Sequence, residues 1–363
     1  MLNTNIFQQI EESVIRKQIP FSCHIDLTYR CNLHCPQCYV VPSDKEELSA
    51  SEFKCLLDQL AEAKVLYLFL SGGEIFLRED FFEIAEYARK RHFALRLLTN
   101  GTLIDEKKAD RLAVLNPELV KISLYSADPA VHDAITGVLG SFCKAMNAVR
   151  ILQERQLPVK LSCLVMRPNW KDYSRVAGLA RKLGIEFTFD YRITPRNNGD
   201  LTPLQYQIDE KKIALIEKKW GERMNMNRSY PEAGLPRIYE NLLCAAARSH
   251  CAVNPYGDIT PCVQFPLACG NVRNSHFANI WKNSPELKKI RETMVFHLPF
   301  CSNCSLRKDC RMCPGLNYVE HKDFTIPSPL VCREAKIIRR IRLEKLEPDK
   351  NKEKSNEKSK IHA

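Results

Sequence analysis

The sequence contains no run of about 18 uncharged apolar residues, so no membrane-spanning helix is expected. The N-terminal stretch Met1-Leu-Asn-Thr-Asn lacks the basic segment followed by an apolar one that marks a secretory signal. The expected compartment is therefore the cytoplasm. No repeat at solenoid period is present, which removes the stacked-repeat architectures. Net charge is +11, yet a nucleic-acid surface is not expected, because the excess is unevenly placed. From Arg333 to Ala363 there are 11 Lys and Arg against 6 Asp and Glu, so much of it sits in a polar tail with the composition of a solvated, disordered end.

Cysteine is what the chain has in quantity, with 16 among 363 residues. Without an export signal these do not read as a disulfide framework, since a reducing cytoplasm disfavours disulfides. Three are tightly spaced near the front and the largest group crowds the last third, which points to two separate metal-binding regions.

Branched apolar runs alternate with amphipathic stretches, the pattern of repeated βα units around a parallel sheet. Strands are predicted at Cys23–Thr28, Val65–Ser71, Ala94–Thr99, Leu119–Tyr125, Val159–Val165 and Glu186–Arg192. A helix over Ser49–Ala63 is predicted from a Ser49/Glu52 capping box and a face of Phe53, Leu56, Leu57, Leu60 and Ala61. Others are predicted at Phe142–Glu154, Asp172–Leu183 and near Asp209–Arg223. Six units are fewer than the eight that close a barrel. The expected fold is α/β, a partial (βα)6 barrel with its chemistry at the C-terminal strand ends, followed by a small Cys-rich iron–sulfur domain. The expected division is an N-terminal segment 1–21, a core 22–193, a linker and helix 194–243, an auxiliary domain 244–335 held by metal rather than a large apolar core, and a basic helical or disordered tail 336–363.

Directly after the first predicted strand comes Cys31-Asn-Leu-His-Cys35-Pro-Gln-Cys38. This spacing supplies three thiolates, whereas a structural zinc site wants four ligands, and neither His34 nor His24 is in register to be the fourth. A cubane cluster on three thiolates keeps one iron open for an external ligand. The second strand ends in Ser71-Gly72-Gly73-Glu74, where the glycines would let an exposed backbone edge approach a ligand and the carboxylate would suit an ammonium group. The third ends in Thr99-Asn100-Gly101 and the fourth in Ser123-Leu-Tyr125-Ser126. Four polar sets at successive strand ends are too many for chance turns.

Across Ser22 to about Arg192, the triplet, the Gly-Gly-Glu and the strand order resemble the radical S-adenosylmethionine (SAM) superfamily. The resemblance implies a [4Fe–4S] cluster on Cys31, Cys35 and Cys38, its open iron chelated by SAM's amino and carboxylate groups. It implies that Gly72, Gly73 and Glu74 lie beside the SAM amino group, Ser123 near the methionine or ribose portion, and Asn100 nearby. The stretch from Ala127 to Phe142, with His132, Asp133, Thr136, Gly137, Gly140 and Ser141, is similar to the same region in peptide-modifying members.

The rear pattern is Cys244, twelve residues, Gly257, four residues and Cys262, then Cys301-x2-Cys304-x5-Cys310-x2-Cys313 and Cys332. Seven cysteines cannot fill two four-ligand sites, so an eighth joins them or an iron stays open; Cys251 is the nearest candidate and Cys269 the next. C-x2-C pairs alone would also suit zinc ribbons. The region resembles the SPASM extension, which carries auxiliary iron–sulfur clusters, except that two residues rather than three separate Cys310 from Cys313. The resemblance implies a distal cluster on Cys301, Cys304, Cys310 and Cys332, and a proximal one on Cys244, Cys262 and Cys313, completed by Cys251 or left open.

The expected function is reductive cleavage of SAM to a 5′-deoxyadenosyl radical that oxidatively modifies a peptide or protein, as a thioether or carbon–carbon cross-link. Haem, tetrapyrrole or other cofactor synthesis is the alternative, and a zinc-stabilised, non-catalytic binding module the third reading. Asp190, Tyr191 and Arg192, at the end of the sixth strand, are the candidates for proton transfer. Expected partners are the peptide, a separate leader-recognition protein, and an electron donor such as flavodoxin or ferredoxin.

Overall fold

The computed structural model describes residues 3–227 and 241–346. The strands are β1 Ser22–Thr28, β2 Tyr67–Gly72, β3 Ala94–Thr99, β4 Leu119–Ser123, β5 Val159–Leu164, β6 Glu186–Asp190, β7 His250–Val253 and β8 Ile259–Thr260. The helices are α1 Asn3–Lys17, α2 Ala50–Glu62, α3 Phe81–Lys90, α4 Glu106–Leu115, α5 Pro129–Thr136 and α6 Ser141–Glu154. They continue with α7 Tyr173–Lys182, α8 Glu210–Asn227, α9 Phe277–Asn283, α10 Pro285–Glu292, α11 Pro314–His321 and α12 Pro329–Leu346.

Strands β1 to β6 pair in chain order and in parallel, forming the expected open barrel wall. The predicted capping box is present at α2, where Ser49 accepts from the Glu52 amide and Glu52 reaches back to the Ser49 amide. Two strands, β4 and β6, end two residues earlier than predicted, each because local side chains take the backbone donors. The Tyr125 amide donates to His132 Nδ1 at 3.2 Å, and the Asp190 carboxylate accepts the amides of Tyr191 and Arg192 at 2.8 and 3.0 Å.

The sheet also extends beyond the first strand, which the sequence pattern did not indicate. β7 pairs in parallel with β1, Ser22 opposite His250 and Ile25 opposite Val253, and β8 turns back antiparallel. The rear region is therefore not held by metal alone: Leu243, Val253, Phe265 and Phe277 belong to the same apolar cluster as Ile25, Leu70 and Leu97. Residue 244 marks a change of sequence pattern, not an edge of the core. A second cluster joins Tyr173 and Tyr191 to Ile213 and Ile216 of α8 and to Ile337 and Ile341 of α12. The tail predicted from residue 336 thus begins inside a packed helix, and residues 347–363 lie outside the described ones. Among the described residues no single helix is long and apolar enough to cross a membrane.

Candidate functional site

The Cys31–Cys38 loop is held from outside. His34 N donates to Thr136 O at 2.8 Å, and Gly137 lies so close that a Cβ there would sit 3.1 Å from His34 Cβ. The Asp133 carboxylate accepts from Gly140 N, Ser141 Oγ and Phe142 N and so anchors the start of α6. The His132-to-Phe142 stretch is thereby the scaffold against which the triplet rests. Asn32 and Asn100 bond to each other at 2.9 Å, and Asn100 Nδ2 also reaches Cys31 Sγ at 3.9 Å. Asn100 is therefore tied to the loop, with its Oδ1 accepting from Thr102.

The Gly-Gly-Glu turn does something other than present free amides. Gly73 N donates to Thr28 O at 2.7 Å and Glu74 N to Arg30 O at 2.9 Å. A Cβ on Gly72 would lie 2.1 Å from Thr28 O, and one on Gly73 2.1 Å from Arg30 O. The glycines allow β2 to abut the chain leaving β1 and so set the height of the cysteine loop. Glu74 is not an exposed carboxylate either: it is fully buried and accepts from Thr99 Oγ1 at 2.7 Å, Asn100 N at 2.8 Å and Phe76 N at 3.2 Å. Burial pushes its carboxyl up, against the pull of these donors. Glu74→Ala leaves three donors without an acceptor, so the expected result is a stability loss of about 2–4 kcal/mol besides any change in SAM affinity. Chemical unfolding of the variant checks this; unchanged stability with weakened SAM binding would restore the direct-contact reading.

The donor set fits a cluster with an open iron. Burial, and then the charges of Cys38 and Cys31, push the Cys35 thiol up to about 12, a setting that a bound cation would relieve. Among the described residues neither neighbouring candidate stands ready as a fourth ligand, because His34 is exposed and Glu74 is committed elsewhere. Gln37, inside the triplet, is 6% exposed, and its Oε1 has no hydrogen-bond partner. Such an orphaned acceptor suits the amine donors that SAM carries.

In the rear, electrostatics sort the thiols into two sets. Burial pushes Cys244 up to about 12, with the charges of Cys262 and Cys313 adding to it. Burial pushes Cys310 up to about 12, with Cys332, Cys301 and Cys304 adding and the Arg192 cation opposing. Among the described residues no three His, Cys, Asp or Glu side chains close around one point as a single metal ion requires, so each rear set, like the front triplet, is within electrostatic range without meeting. Cys251 is buried in β7, in register with the buried Cys23 of β1. It also lies within electrostatic range of Cys262 and Cys269. All 16 cysteines are free.

Between the front loop and the rear sets lies a cavity of about 700 Å3 lined by Gln37, Tyr39, Lys121, Asp190, Arg192 and Gln264, among others. Of the three candidates at the end of β6, Asp190 and Arg192 line it. Tyr191 does not: it is buried on the other side, its hydroxyl donating to Glu217 Oε1 at 2.5 Å. Arg192 pairs with Glu334 at 2.5 Å and donates to Arg311 O at 3.4 Å, and Arg311 forks onto Glu217 at 2.6 and 2.9 Å. Sequence reasoning missed Tyr39, which lines the cavity and whose hydroxyl is pushed up by burial and then by Asp26, Tyr29, Cys38 and Cys262. Its position directly after Cys38 was the available signal. Ser123 is half-buried on the lumen face of β4.

Residues 25–188 match the model of the radical SAM superfamily, and residues 244–314 that of the SPASM iron–sulfur cluster-binding domain. The mycofactocin maturase MftC of Mycobacterium tuberculosis is 32% identical over 302 residues, which cover 79% of this chain and 76% of that protein. The AdoMet-dependent heme synthase of Methanosarcina barkeri is 26% identical over 330 residues, covering 84% and 94%. Among solved structures, SuiB of Streptococcus suis bound to its precursor peptide SuiA shares the fold with a TM-score of 0.71, covering 89% of this chain and 80% of that one at 16% identity. With a cysteine triplet under an open barrel and a second cysteine-rich unit docked on its first strand, this chain is an enzyme of the radical SAM superfamily with a SPASM domain, built to use SAM and [4Fe–4S] clusters.

Proposed function

We propose that the chain oxidatively modifies a peptide or protein, joining two of its atoms in a thioether or carbon–carbon cross-link. The observation that carries this is the shared cavity, lined at once by the cysteine loop through Gln37 and Tyr39, by the barrel through Lys121 and Asp190, and by the rear region through Gln264. A substrate held there lies within reach of both ends of an oxidation. When bound, SAM and the front cluster supply the 5′-deoxyadenosyl radical that removes a hydrogen atom. The protein's part is to bind, orient and exclude water. Cys31, Cys35 and Cys38 hold the front cluster, Cys301, Cys304, Cys310 and Cys332 the distal one, and Cys244, Cys262 and Cys313 the proximal one, with Cys251 or an open iron completing it. Asp190 faces the cavity and is the proton acceptor to test first; Tyr191 is a packing residue. A separate leader-recognition protein, a flavodoxin- or ferredoxin-type electron donor and a cytoplasmic location complete the proposal.

The length match to the heme synthase keeps tetrapyrrole chemistry as a second reading. The deciding experiment incubates anaerobically reconstituted enzyme, SAM and reductant with short peptides encoded beside its gene, and in parallel with coproporphyrin-type substrates. The expected result is a peptide lighter by two hydrogens in mass spectrometry, with 5′-deoxyadenosine formed alongside. Conversion of the porphyrin alone would assign the chain to the second reading, and stoichiometric zinc with negligible sulfide would sink both.

A further inference from the structure

We infer that Lys121 anchors a carboxylate of the substrate inside the cavity. The inference rests on the reading that this cavity holds the substrate. Strand β4 alternates: Val120 and Ile122 are buried in the core, while Lys121 and Ser123 are half-buried on the opposite, lumen-facing side. Lys121 is in register with Leu98 of β3 on one side and Lys160 of β5 on the other. The two neighbouring lysines are treated differently. Lys160 pairs with Glu186 at 2.5 Å, whereas among the described residues Lys121 has no carboxylate within ion-pair distance.

The surroundings do not neutralise it. Gln37, Tyr39, Ser162, Thr188 and Gln264 line the same cavity and carry no charge at neutral pH. Of the two other cations there, Arg192 is matched by Glu334, and Arg181 of α7 is exposed to solvent. Asp190 attracts Lys121 from β6, but burial and the repulsion of Lys160 outweigh it and hold the ammonium below the usual lysine range. A partly desolvated cation without a close partner is an incomplete arrangement, and an entering carboxylate completes it. That carboxylate can come from an acidic side chain, a peptide C-terminus or a tetrapyrrole propionate, and the test has one arm for each.

The experiment is calorimetric titration of the reconstituted, SAM-bound full chain with three matched pairs of probes. These are N-acetylglutamate α-amide against N-acetylglutamine amide, N-acetylalanine against N-acetylalaninamide, and coproporphyrin III against its tetramethyl ester. The expected result is that at least one acid binds about tenfold or more tightly than its uncharged counterpart. Lys121→Gln removes that preference, Lys121→Arg retains it, and Lys160→Gln leaves it intact, all with unchanged affinity for SAM. Absence of a preference in every pair, absence of binding by every probe, or a preference that survives Lys121→Gln would overturn the inference. So would an equal loss of SAM affinity in Lys121→Gln, since the carboxylate would then be SAM's own. A preference confined to the porphyrin pair keeps the anchor and refutes the peptide substrate, which separates the two failures.

Discussion

Replacing Cys31, Cys35 and Cys38 together by Ala is expected to abolish SAM cleavage while the rear iron stays in place. The first effect is complete because, among the described residues, neither neighbouring candidate can substitute: His34 is exposed, and Glu74 is buried against Thr99 and Asn100. The second follows from where the two regions are joined. They meet through β1 and β7 and through a shared apolar cluster, and the triplet is in neither. Iron and sulfide analysis of the purified variant, with 5′-deoxyadenosine measured in parallel, checks both halves. Loss of all iron would mean that the rear sites fill only after the front one.

Arg311→Leu is the second substitution expected to act strongly, although Arg311 does not line the cavity. Its guanidinium is bidentate to Glu217, and the two side chains are only 9% and 4% exposed. Removing one partner of a buried pair strands the other charge, at about 3–5 kcal/mol. Tyr191 shares the same carboxylate and loses its setting as well. Because Arg311 lies between Cys310 and Cys313, the step between the two proposed rear ligand sets should loosen, and rear iron should fall with stability. The double variant Glu217→Leu/Arg311→Leu should recover most of the stability, since two apolar groups replace the pair. Denaturation midpoints and iron content of the three proteins measure this. A single-variant cost below about 1 kcal/mol would show the pair to be no more than a surface ion pair.

The strand pattern was legible because alternation in β3, β4 and β5 reflects one packed and one open face, a property local to each segment. The cysteine triplet was legible for the same reason: its spacing is contained in eight residues. What escaped was set by partners far along the chain. Tyr191 and Arg192 are adjacent polar residues at a strand end, yet one is claimed by Glu217 behind the sheet and the other by Glu334 beside the cavity. Gly72 and Gly73 read as a ligand cradle, since nothing in the local sequence reveals that Thr28 and Arg30 take their place against them. The pairing of Cys251 with Cys23 was not legible either, because it joins β1 to a strand of the rear region.

That pairing has a consequence for how the protein is made. β1 emerges early from the ribosome, and its outer edge is covered only when β7 arrives. At about 5–20 residues per second, synthesis leaves this edge open for on the order of tens of seconds. An uncovered parallel edge whose inner neighbours are already in place is an invitation to pair with another chain. The nascent barrel therefore has a vulnerable interval that ends only with the rear region. Slowed translation between the two halves, or truncation before residue 250, should favour aggregation over a soluble half-enzyme.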